Sequence, residues 1–143
     1  MKLIPRLAAL VAVAALLVGC SSSPLSPTTG PTAATAPAAG SSVSPADFAA
    51  ATKLPDTVIL DVRTPQEFAA GHLANAVNVD VEDAGFTSNI ATLDQSKTYA
   101  VYCRSGNRSK VAMSAMAQAG FTQFYDLDGG INAWQSAGGE VVS

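Results

Sequence analysis

The sequence has little cysteine, little charge and a single histidine. It holds two cysteines, Cys20 and Cys103, one histidine, His72, and eight basic residues against eleven acidic ones. An acidic balance of this kind is a poor basis for binding nucleic acid, and no nucleic-acid partner is expected. No apolar run reaches the ~20 residues that a membrane-spanning helix requires, and no internal repeat is present. Residues 21–42 contain no charged residue at all, and no Asp or Glu falls between Gln95 and Tyr125. These two gaps divide the chain into a leader, a linker and a domain with an unusual basic stretch.

The leader opens with Lys2 and Arg6 and continues as an apolar stretch from Leu7 to Gly19, the length of a secretory h-region. It ends in "LVGC", which resembles the lipobox of bacterial lipoproteins. That resemblance implies a signal peptide over residues 1–19, cleavage before Cys20, and a lipid on Cys20 that fixes the exported protein to the cell envelope. Residues 20–43 are then mostly Ser, Thr, Pro, Ala and Gly, a composition that cannot bury enough apolar surface to offset its ordering entropy. A disordered tether is expected there. With Cys20 lipidated, Cys103 has no partner and no internal disulfide can form. Loss of Lys2 and Arg6 leaves six basic residues against eleven acidic ones, a formal charge of −5.

Residues 44–143 are one domain's worth of chain, long enough to form a core without staples. Ser44 with Pro45 and Asp47 reads as a helix start. "TVILDV" reads as a buried strand. Thr64, Pro65 and Glu67 form a capping box, and Gly71 suits the end of the helix that follows. "AVNV" is a second strand, residues 85–93 a brief helix, and "TYAVYC" a third strand. Residues 109–119 carry Val111, Ala112, Ala115, Met116 and Ala119 at helical spacing, with Ser109 as the expected N-cap. "FYDL" and a last helix around Trp134 complete an α/β pattern, predicting a parallel sheet with helices on both faces. In such sheets ligands bind beyond the carboxyl ends of the strands. Cys103 lies at one of those ends.

A lone cysteine finishing an apolar strand is usually packing, but its neighbours point elsewhere. Lys97, Arg104, Arg108 and Lys110 fall in one acid-free stretch, and Gly106 and Asn107 allow the loop to curl its N–H groups inward. A thiol ringed by amides, a helix N-terminus and the two guanidiniums of Arg104 and Arg108 should ionise readily and act as a nucleophile on an anionic substrate. A phosphate ester or a sulfur donor such as thiosulfate would qualify. Four residues separate Cys103 from Arg108, one fewer than in the C-x5-R loop of cysteine phosphatases, and the tighter bowl suits one added sulfur atom.

"CRSGNRS" resembles the six-residue active-site loop of rhodanese-type sulfurtransferases. "LDVRTPQEFAAGHLANAVNV" and "LDGGINAW" are similar to two further stretches of that family, with Asn75 in the place of a usual Gly. The resemblance implies a rhodanese-like domain in which Cys103 carries a persulfide. It also implies that the loop residues Arg104, Ser105, Gly106, Asn107 and Arg108 stabilise that persulfide, and that no metal or cofactor is needed. Arg104 would steer the donor anion and Arg108 would brace the loop. The expected partners are a small anionic sulfur donor and a thiol or cyanide acceptor, on a monomeric protein.

Asp61 and Arg63 are read as an ion pair supporting the loops, His72 as a structural group, and Asp80, Glu82 and Asp83 as solvated acids. Two other activities remain open at the level of sequence. One is phosphatase or arsenate-reductase-like chemistry, and the other is a module that binds sulfur species or senses oxidants without turnover.

Overall fold

The computed structural model describes residues 23–143. The expected signal peptide and the Cys20 lipidation site lie outside the described residues. Five strands form one parallel sheet: β1 (Ser42–Val43), β2 (Thr57–Asp61), β3 (Val77–Asn78), β4 (Thr98–Tyr102) and β5 (Phe124–Leu127). Their order across the sheet is β1-β5-β4-β2-β3. Between them run α1 (Pro45–Ala51), α2 (Pro65–Ala70), α3 (Phe86–Ile90), α4 (Asn107–Gln118) and α5 (Gly130–Ser136). The α/β class, with a parallel sheet between two helical layers, is as expected.

Alternation along the central strands builds two cores, because successive side chains of a strand face opposite sides. Leu60, Tyr99, Val101 and Phe124 face α3 and α4, packing with Phe86, Ile90, Ala112, Met113 and Met116. Ile59, Ala100, Tyr102, Tyr125 and Leu127 face α1 and α5, packing with Phe48, Ile131 and Trp134. The indole N–H of Trp134 donates to the Glu140 carbonyl at 2.9 Å, which holds the C-terminal tail against α5. Local signals set the helix starts. Ser44 caps α1, and Thr64 and Glu67 form the reciprocal capping box of α2. Asn75 takes a left-handed backbone with φ +66°, which an asparagine tolerates better than other side chains.

The structure departs from the sequence reading in three places. First, the described part of the expected tether is docked on the domain. The Leu25 carbonyl accepts from Glu140 N–H at 2.9 Å, Ala33 N–H donates to Ala50 O at 2.9 Å, and Gly40 N–H donates to Phe124 O at 2.7 Å. Its end is β1, which pairs in parallel with β5. Backbone pairing to an open sheet edge needs no apolar side chains, so composition did not reveal it. Second, Gly106, with φ +97°, is the N-cap of α4, so Ser109 lies inside the first turn instead of capping it. Third, Val111 is 62% exposed and Met113 occupies the buried face of α4.

Candidate active site

Cys103 follows the last residue of β4 and is 1% exposed. The chain then curls through Arg104 and Ser105 and turns at Gly106 into α4. That curl brings Gly106 N–H to 3.0 Å from the sulfur, donating to it. The Ser109 hydroxyl oxygen lies 3.7 Å from the sulfur on the same side. Burial pushes the Cys103 thiol up, and the N–H groups of Ser109, Gly106 and Ser105 pull it down. The net direction is below an ordinary cysteine, toward the thiolate.

The loop is also gripped from the other side of the sheet. The first turn of α5 donates Ile131 N–H to the Cys103 carbonyl at 2.9 Å and Asn132 N–H to the Arg104 carbonyl at 3.1 Å. This approach requires a glycine. A Cβ at Gly130 would sit 2.5 Å from the Cys103 carbonyl oxygen, at a backbone φ of +60°. The "DGG" turn is therefore the seat on which the cysteine loop rests.

The two loop arginines behave differently. Arg108 is turned to acids that arrive from distant segments. It donates to Glu67 of α2 at 2.7 and 2.8 Å, and to Glu82 at 2.9 Å. The Arg108 hydrogen bond, opposed by burial, holds the Glu67 carboxyl down to about 2, and the same bond raises Arg108. The expected ring of two guanidiniums around the thiol is therefore corrected. Arg108 is neutralised by Glu67 and Glu82 and serves as a strut between the loop and α2. Arg104 is exposed and borders a depression of about 280 Å³ with Arg63, Gly71, Ile131, Asn132 and Val141. Ser105 and Asn107 are exposed at the rim of the loop.

Asp61 and Arg63 form the expected pair. Asp61 is fully buried, and Arg63 donates to its carboxylate at 2.6 to 3.1 Å and to the Gly71 carbonyl at 2.8 Å. His72 stacks on Phe68 with ring centroids 3.7 Å apart, and its Nδ1 lies 3.0 Å from the Phe68 carbonyl. No cluster of three or more His, Cys, Asp or Glu residues suited to a metal occurs among the described residues. One residue at the site was missed by sequence reasoning. Asp126 of β5 is fully buried, and its Oδ2 accepts from the Ser109 hydroxyl at 2.8 Å. Its signal was an acid in the middle of the apolar strand "FYDL".

The comparisons with known proteins agree with this geometry. The family model "Rhodanese-like domain" matches residues 44–137. The chain is 36% identical over 78 residues to the thiosulfate sulfurtransferase GlpE of Pseudomonas aeruginosa, covering 54% of this chain and 69% of that protein. It is 38% identical over 89 residues to the chloroplastic thiosulfate sulfurtransferase 16 of Arabidopsis thaliana, covering 55% and 74% respectively. In three dimensions it resembles the crystal structure of a rhodanese-related protein from Thermoplasma volcanium. The TM-score is 0.64 at 34% identity, over 71% of this chain and 97% of that one.

Proposed function

The chain belongs to the family of rhodanese-like domains, and from that membership we propose that it is a sulfurtransferase with Cys103 as the sulfur carrier. The observation that carries the reading is the buried sulfur beneath Gly106 N–H, with its thiol drawn toward the ionised form. In the first half-reaction the Cys103 thiolate attacks the outer sulfur of a donor such as thiosulfate. The bond between that sulfur and the sulfonate breaks, sulfite leaves with the electron pair, and Cys103 holds a persulfide anion. In the second, a nucleophilic acceptor, cyanide or a thiolate, takes the outer sulfur and returns Cys103 to the thiolate. The loop N–H groups of residues 104–108 would receive the persulfide charge as an oxyanion hole receives oxygen. Arg104, exposed at the rim of the depression, would draw in the anionic donor. Arg108 is engaged by Glu67 and Glu82, which argues against a phosphatase, where the loop arginine must clamp phosphate.

Export and lipid attachment at Cys20 are part of the same proposal, supported by the leader and its "LVGC" ending. Because Leu25 is docked on the C-terminal tail, only four residues separate it from Cys20, and the five steps between the two reach at most about 18 Å. The domain would therefore sit close to the membrane surface, acting as a monomer on small molecules. The test is the intact mass of the purified protein after thiosulfate. A gain of one sulfur atom is expected, and it should vanish in Cys103→Ser. A gain that survives the substitution would reject Cys103 as the carrier.

A further inference from the structure

Asp126 is a buried carboxylate with no cation beside it. Among the described residues its Oδ1 accepts only from the Ser42 hydroxyl of β1 and its Oδ2 only from the Ser109 hydroxyl, at 2.8 Å. No arginine, lysine or histidine makes an ion pair with it among those residues. Ser109 is itself fully buried and stands between this carboxylate and the Cys103 sulfur. A serine hydroxyl has one hydrogen and two lone pairs. Three acceptors compete for that hydrogen: Asp126 Oδ2 at 2.8 Å, the Gly106 carbonyl at 3.1 Å and the sulfur at 3.7 Å. The nearest of them is also the charged one, and charge-assisted bonds are the stronger.

We infer that Asp126 is a positioning residue that acts on the Cys103 sulfur through Ser109, by holding the Ser109 hydrogen away from it. With that hydrogen committed to Asp126, Ser109 presents a lone pair to the sulfur, and Cys103 S–H can donate into it. The hydroxyl then supports the neutral thiol, while Gly106 N–H supports the thiolate. The carboxylate's own charge acts in the same sense, because two anions separated by one hydroxyl repel. Asp126 thus restrains a thiol that the loop amides would otherwise ionise further.

The other charged and titratable groups around the site are engaged elsewhere or exposed, as Lys110 is, except the Tyr125 hydroxyl, which is buried without a partner on the opposite face of the sheet. Arg63 on the β2 side binds Asp61, the Tyr102 hydroxyl of β4 accepts from Leu73 N–H, and Arg108 of α4 binds Glu67 and Glu82. Asp47 of α1 accepts from Ser44, Arg104 and Asp128 are exposed, and α5 carries no titratable side chain.

The inference rests on Cys103 being the reactive thiol, and its test uses no sulfur donor, so a failure of sulfur transfer would not be mistaken for a failure here. In the full chain, the rate at which iodoacetamide alkylates Cys103 is followed against pH, read on the Cys103 peptide by mass so that Cys20 does not contribute. Asp126→Asn should lower the midpoint by about one unit, roughly tenfold more thiolate at a pH below both midpoints. In a Ser109→Ala background the same substitution should shift the midpoint far less. An unchanged or raised midpoint in Asp126→Asn would overturn the inference, as would an equal shift without the hydroxyl. Should Asp126→Asn not fold, the unsubstituted protein supplies the answer through the Asp126 carboxyl-carbon resonance. That signal should move at the Cys103 midpoint and stay still there in Cys103→Ser; a signal indifferent to Cys103 would refute the coupling.

Discussion

Asp61 and Asp126 occupy equivalent-looking places and have opposite surroundings. Each is a fully buried acid near the carboxyl end of a parallel strand. Asp61 shares the face of the sheet covered by α1 and α5, and Arg63 sits on it with three side-chain hydrogen bonds. Asp126 shares the face covered by α4 and has only the hydroxyls of Ser42 and Ser109. A carboxylate with its own guanidinium is a closed unit, whose charge is spent on holding Arg63, and through it Gly71, in place. A carboxylate held by hydroxyls keeps its field, and the nearest reactive atom is the Cys103 sulfur.

The largest expected effect lies on the closed side. Asp61→Asn leaves the Arg63 charge buried without its partner and should cost about 3–5 kcal/mol of folding stability, measured by urea unfolding. Asp126→Asn strands no buried cation and should cost only about 1–2 kcal/mol in the same measurement. Equal losses would mean that the two acids are both scaffolding, and the contrast would be void.

A third carboxylate grades the comparison, because Glu67 is paired like Asp61 but partly exposed. Its folded value is depressed to about 2 from an ordinary 4.5, chiefly by Arg108. The stability it contributes is therefore fully present above about 4.5 and is lost as pH falls through about 2. Glu67→Gln should remove roughly 1–2 kcal/mol at neutral pH and flatten this part of the acid limb, followed by unfolding at stepped pH. An acid limb that keeps its slope in the variant would remove Glu67 from the acid-sensitive groups.

The smallest expected effect belongs to the exposed arginine. Arg104→Ala should leave urea stability within about 0.5 kcal/mol of the original while raising KM for thiosulfate about three- to tenfold, with kcat little changed. A stability loss matching that of Glu67→Gln would show that Arg104 also braces the loop.

What could be read from the sequence was what is decided locally. The caps at Ser44 and Thr64, the strand "TYAVYC" and the cysteine loop depend on residues within one turn of each other, and they stand where the sequence places them. Ser109 was misplaced because a serine before an apolar helix looks like a cap. Gly106 starts the helix three residues earlier, which turns the Ser109 hydroxyl inward. The acid-free stretch around Cys103 suggested a bare cationic nest, yet Glu67 and Glu82 reach Arg108 across 41 and 26 residues of chain. Asp126 escaped notice for the same reason, since its partners Ser42 and Ser109 meet it only when β1 and α4 close around β5.

Two residues of β1 carry a consequence for where this protein can be cut. The family resemblance begins at Ser44, but Asp126 N–H donates to Ser41 O and Asp128 N–H to Val43 O, each at 2.9 Å. A chain trimmed to the recognisable boundary would bare the flank of β5 along Phe124–Leu127, a row of unsatisfied amides and carbonyls that invites a second molecule to add its own strand. It would also strip Asp126 of its Ser42 donor. Residues 40–43 are thus the selvedge of the sheet, and a clone that omits them should be stickier and differently reactive at Cys103.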